Sequence, residues 1–97
     1  MARTKTIEPI HPGEILKDEL GERGISLNQL ARDTRIPLSR VSLIANGRRS
    51  VTADTAMRFG RYFGTSAAMW MGLQSDYELR VAAANAEKIE REVIPAA

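Results

Sequence analysis

The sequence predicts an all-α fold of five or six short helices. Three observations carry this. Apolar residues recur at helical spacing (i, i+3, i+4) along most of the chain. Capping residues precede these runs, and glycines follow most of them. No segment combines strict apolar–polar alternation with hairpin turn residues, so strands are not expected. A chain of 97 residues with 43% hydrophobic content suits one core. It reads as a single domain over residues 1–97, with a core bundle at 7–73 and a C-terminal helix at 75–92.

The first helix is expected at His11-Pro12-Gly13-Glu14, where Pro12 suits the first turn and Glu14 complements the helix dipole. Ile15, Leu16 and Leu20 form its inner face, and Gly24 closes it. Ser26 caps the second helix, and Gln29 occupies the capping-box position. Leu27, Leu30 and Ala31 make its inner face, and it ends near Asp33 or Thr34. Ile36 is expected to pack under the turn. Pro37 fits the first position of a third helix, since it has no N–H to donate. Val41, Ile44 and Ala45 face inward there, and Asn46-Gly47 ends that helix.

Thr52 caps a fourth helix with Asp54 in its first turn, Ala56, Phe59, Tyr62 and Phe63 on its packing face, and Gly64 at its end. Thr65-Ser66 caps a fifth helix carrying Met69, Trp70 and Leu73. Ser75 and Glu78 form another capping-box pattern, which predicts the start of the last helix. Along that helix Leu79, Ala82, Ala86, Ile89 and Val93 recur at alternating gaps of three and four, a narrow seam suited to another helix. Tyr77 and Val81 lie off this seam. The seam fits either a helix folded back on its own domain or an interface with a second copy or a partner. Residues 94–97 are expected to fray.

Residues 26–46 therefore read as two short helices joined by a tight turn, the sequence form of a helix-turn-helix that sets one helix in the DNA major groove. Caps and spacing alone fit an ordinary helical hairpin equally well. The charge distribution separates the two. Residues 23–61 hold eight arginines against Asp33 and Asp54, a net of +6, between acidic flanks: −4 over 8–22 and −2 over 62–97. With Arg3 and Lys5 the chain totals only +2, which conceals the basic middle. A basic segment that coincides with a helix-turn-helix is the footprint of phosphate contacts, and arginine grips phosphate and guanine edges in bidentate fashion. The bland alternative is a solvated basic face with no partner.

Catalysis finds little support. His11, the only histidine, precedes a proline at a helix start, which suits a local structural role. No nucleophile–base pair and no phosphate-binding glycine loop can be assembled. Asp18, Glu19 and Glu22 read as a solvated helix face, and Met69-Trp70-Met71 as core with an amphipathic rim. The absence of cysteine excludes disulfides and thiolate metal sites, and no cofactor or metal is called for. No apolar run approaches membrane-spanning length, and Met1-Ala2-Arg3 does not open a signal peptide, so a cytoplasmic chain without membrane contact is expected.

The order IHPGEIL (10–16), LARDTRIPLSRVSLIANGRRSVTADTAMRFGRYFG (30–64) and the W..LQ..YEL spacing of Trp70, Leu73, Gln74, Tyr77, Glu78 and Leu79 closely resembles the HigA/VapI-type antitoxins. These belong to the phage-repressor-like (XRE) helix-turn-helix proteins. The likeness covers residues 7 to about 82; the helix-turn-helix marks the broad family, and the two flanking motifs narrow it. The resemblance implies a homodimeric repressor of its own operon on a palindromic double-stranded DNA operator. It also implies binding of a small RelE-like ribonuclease toxin.

Carried over by position, Leu38, Ser39, Arg40, Ser42 and Leu43 fall on the groove-facing side of the recognition helix. Ser39 and Arg40 are expected to make polar contacts, and Leu38 or Leu43 to touch a thymine methyl. Asn28, Asn46, Arg48 and Arg49 match positions that approach phosphates. One departure is clear: phage repressors often carry glutamine at the positions of Leu27 and Leu38, and leucine at both removes that adenine-reading pair. Two other readings stay open at this level: a stand-alone repressor without a toxin, and a protein-binding adaptor that uses the helix-turn-helix as scaffold.

Overall fold

The structure, a computed structural model, describes residues 8–96. The Met1-Ala2-Arg3 start, the Arg3 and Lys5 charges, the first residue of the expected core bundle at 7, and Ala97 lie outside the described residues. Six α-helices follow in order: α1 (Pro12–Arg23), α2 (Leu27–Thr34), α3 (Leu38–Ala45), α4 (Ala53–Phe63), α5 (Ala67–Ala82) and α6 (Ala86–Glu92), with a 3-10 turn at Ala83–Asn85 between the last two. The all-α class expected from the sequence is the one observed.

The capping residues act largely as their chemistry predicts. Ser26, Thr52 and Ser66 each accept, through the side-chain oxygen, the N–H three residues on: Gln29, Thr55 and Met69 at 3.1, 3.3 and 3.0 Å. His11 caps α1 in the same sense, its Nδ1 accepting the Gly13 N–H at 2.8 Å. Pro37 departs from expectation. Its ψ of 140° is extended, so it stands one place before α3, with its carbonyl accepting the Arg40 and Val41 N–H groups. Proline's fixed φ suits both positions; ψ decides between them.

A larger correction concerns Ser75. No helix begins there: α5 runs unbroken from Ala67 to Ala82. The capping-box pattern is overridden because Ala67, Trp70, Leu73, Gln74 and Tyr77 form one continuous inward stripe at i, i+3, i+6, i+7 and i+10 across it. The helix tightens only at Ala83–Asn85, a stretch without a large apolar side chain. Beyond Tyr77 every described residue is exposed, and α6 rests on the turn before it, not on the bundle. The fold-back of the last helix onto its own domain is therefore not observed.

Leu16, Leu30, Val41, Ile44, Phe59 and Trp70 sit at the centre of the core. The Trp70 ring meets Phe59 at 5.2 Å and Phe63 at 5.9 Å between centroids, and its Nε1 donates to Thr65 Oγ1 at 2.9 Å. Such a tilted aromatic cluster with a satisfied indole N–H clamps α4 against α5. At the other end, Gly13 lets α1 lie directly on α3: a Cβ there would collide with the main-chain carbonyl oxygens of Ile44 and Ala45. This close approach fixes where α3 ends, and so where its exposed face points.

Candidate nucleic-acid interface

The α3 helix buries Val41, Ile44 and Ala45 and turns its opposite side out. Ser39 and Leu43, one turn apart, centre that outer side. Leu38 and Ser42 lie along one flank and Arg40, half-buried, along the other. Leu38 is 46% exposed and Leu43 39%, large values for leucines on a short helix. Asn28 is exposed in the first turn of α2, and Asn46, Arg48 and Arg49 are exposed just after α3. The fold thus brings five of the nine sequence-predicted residues onto one helix, sets three on the loop that follows it, and leaves Asn28 on α2.

The eight arginines of the basic middle divide by role. Arg23 donates Nη2 to the Phe63 carbonyl at 3.1 Å, pairs with Glu19 at 3.0 Å and lies over the Phe63 ring at 5.2 Å, so it ties α1 to the end of α4. Arg58 donates to the Thr34 carbonyl at 2.9 Å and pairs with Asp54 at 2.8 Å, closing the end of α2. Both satisfy helix C-terminal carbonyls that would otherwise lack donors. Arg32, Arg35, Arg40, Arg48, Arg49 and Arg61 make no ion pair among the described residues. Of these, Arg40, Arg48 and Arg49 flank the exposed face of α3, and no acidic residue lies between Leu38 and Ala53. Arg35 and Arg61 instead line an open cleft of about 440 Å³ with Asp33, Asp54, Met57 and Tyr62, which includes no residue of α3.

Arg35 also adopts the left-handed conformation, φ 59°, at the end of α2, the only non-glycine residue described with positive φ. Composition alone does not reveal this, because glycine usually takes that place. Burial, then the Asp33 carboxylate that its hydroxyl bonds at 2.9 Å, push the Tyr62 phenol upward, so it stays a donor.

The loop bearing Arg48 and Arg49 is held at several points. The Gly47 and Arg48 N–H groups bond the Ile44 and Leu43 carbonyls at 3.0 and 2.8 Å. Gly47 takes φ 75° beside the His11 side chain, which a Cβ at that position would touch. Tyr77 of α5 meets that ring edge-on at 4.9 Å. Burial pulls the His11 pKa below its ordinary 6.5; the Arg49 backbone and the Glu14 charge oppose this. At the far end, the Val51 N–H donates to Gln74 Oε1 at 2.8 Å, and Gln74 Nε2 donates to Glu78 Oε2 at 2.8 Å. Sequence reasoning noted Gln74 and Tyr77 as pattern residues and assigned them no work. The available signal was a glutamine four residues after Trp70 on an inward stripe, where a buried amide needs partners.

Residues 16–70 match the helix-turn-helix family model, a segment that holds all nine candidate residues. Virulence-associated protein I of Dichelobacter nodosus is 42% identical over 81 residues, covering 82% of this chain and 75% of that one. The addiction module antidote protein of the HigA family from Coxiella burnetii superposes with a TM-score of 0.86 at 49% identity, over 92% of this chain and 99% of that one. The chain belongs to the HigA/VapI-type antitoxins of the helix-turn-helix family. The antitoxin HigA of Pseudomonas aeruginosa, solved with the higBA promoter, is equally similar: TM-score 0.85 and 49% identity, over 93% of this chain and 100% of that one. The family is a DNA-binding class, not a class of enzymes.

Proposed function

We propose that this chain is a repressor antitoxin that acts in the cytoplasm as a homodimer, binding a palindromic operator ahead of its own operon and neutralising a small RelE-like ribonuclease toxin by direct contact. The observation that carries the DNA half is the outer face of α3: two solvent-exposed leucines and two serines, flanked by Arg40, Arg48 and Arg49, with no opposing acid. Such a surface suits apolar contact with thymine methyls and polar contact with base edges, framed by phosphate clamps. The likeness to a HigA solved with promoter DNA supports the same reading.

Binding begins with long-range attraction between the basic middle and the DNA phosphates. The start of α2, where Asn28 is exposed in the first turn, offers anion contacts that set orientation. Ser39, Ser42, Leu38 and Leu43 then read the groove, with Arg40 reaching a guanine edge or a nearby phosphate. One short helix reads few base pairs, so two copies would enter successive major grooves about 34 Å apart. The unpartnered C-terminal arm, with Leu79, Ile89 and Val93 exposed, supports pairing of copies or capture of a toxin.

The deciding experiment titrates the chain's own upstream promoter duplex beside a scrambled duplex at two salt concentrations. Tight, saturable and salt-dependent preference for the promoter is expected. Equal weak binding to both, or none, overturns the repressor reading. Co-purification of a small basic protein expressed from the same operon tests the toxin half.

A further inference from the structure

Gln74 is 4% exposed and stands outside the face assigned to DNA. Both ends of its amide are committed: Oε1 to the Val51 N–H and Nε2 to the Glu78 carboxylate, each at 2.8 Å. Val51 is itself buried and closes the exposed stretch Asn46–Ser50. The other end of that stretch passes beside the His11 side chain, and Tyr77 of α5 packs against the His11 ring. Helix α5 therefore reaches both ends of the loop that carries Arg48 and Arg49. A loop residue two or three positions from a fixed hydrogen bond has little freedom, so the anchor decides where its guanidinium can reach.

The geometry points to Gln74 as a positioning residue for DNA binding: by holding the Val51 N–H, it sets the loop so that Arg48 and Arg49 meet phosphates. Glu78 completes the device by orienting the amide, since without a carboxylate at Nε2 the amide could flip and present N–H groups to the Val51 N–H. Helix α5 leaves the bundle within the next turn, where Leu79 is exposed, so the anchor lies at the root of the arm. This inference rests on the DNA-binding reading above.

The test measures binding of the full chain to its promoter duplex across a salt series, for Gln74→Leu, for the double variant Gln74→Glu/Glu78→Gln, and for Gln74→Leu combined with Arg48→Ala/Arg49→Ala. Gln74→Leu is expected to weaken binding about tenfold and to flatten the log–log salt slope by about 1 to 2, as the neutralisation of fewer phosphates requires. The double variant exchanges donor and acceptor across the pair and should restore both quantities. Adding Gln74→Leu to the arginine variant should change little, because the anchor acts through those arginines. Circular dichroism checks that each variant folds; if Gln74→Leu does not, Glu78→Ala, whose side chain lies at the surface, takes its place with the same expectation. An unchanged slope, or a weakening that adds in full to that of Arg48→Ala/Arg49→Ala, would overturn the positioning role alone. Failure of the wild-type chain to bind the promoter overturns the DNA reading, and this inference with it.

Discussion

Arg48 and Arg49 sit beyond the end of α3, exposed and without an acidic partner among the described residues, and in the proposed complex their charge would serve a phosphate and not a base. Replacing either with alanine should weaken binding to promoter and scrambled DNA alike, lowering the salt slope by about 0.9 for each phosphate left without its arginine. Arg40 differs because it stands on α3 itself and is half-buried. Arg40→Ala should change sequence preference as well as affinity, measured as the ratio of promoter to scrambled binding; a constant ratio would return it to the phosphate contacts. His11 offers a separate test. Its Nδ1 accepts a hydrogen bond, which only the neutral ring can do, and burial lowers its pKa below 6.5. The unfolded chain then binds the proton more readily, so this contribution to stability is complete above pH 6.5. It declines as pH falls through the folded pKa. Urea midpoints at about pH 7.5 and about pH 5 should therefore drop less in His11→Asn, which keeps a good cap without a titrating group.

Among the elements, the α1–α3 contact leaves no space at Gly13, where the obstruction is main chain and cannot turn aside. Gly13→Ala should cost about 1–3 kcal/mol in thermal or urea unfolding, the usual range for overpacking. DNA affinity should fall further than stability explains, because the end of α3 and the loop after it would shift. Much at this scale is legible in the sequence: Ser26, Thr52 and Ser66 announce three helix starts, and apolar spacing identifies the inner faces, because caps and periodicity are local properties. Ser75 shows where that logic stops. Its capping pattern is genuine, yet Trp70, Gln74 and Tyr77 keep one packed face through it, and burial outweighs a cap worth about 1 kcal/mol. Arg35 is a similar case: Ile36 buries beneath the turn, and Arg58 closes the α2 end, so an arginine accepts the left-handed conformation.

For the whole molecule, the notable feature is an arm whose residues past Glu78 lie exposed, away from the core. Residues 79–96 are exposed, among them the large apolar side chains Leu79, Val81, Ile89, Val93 and Ile94. Ending the chain after Ala82 should leave the helical bundle and its unfolding midpoint nearly unchanged. The same truncation should shift sedimentation toward monomer and weaken promoter binding, if the arm joins two copies; unchanged sedimentation would assign it to a different partner. The chain's residues by themselves determined the all-α class, the position of the two-helix motif, the basic middle and the family likeness. These are carried by local spacing, caps and residue type. Tertiary structure alone decided which arginines are spent inside the fold, that α5 continues through Ser75, and that Gln74 and His11 hold the ends of the arginine loop. Those outcomes depend on which residues distant in sequence meet, as Arg58 meets Thr34 and Gln74 meets Val51, and no pattern local to either partner encodes the meeting.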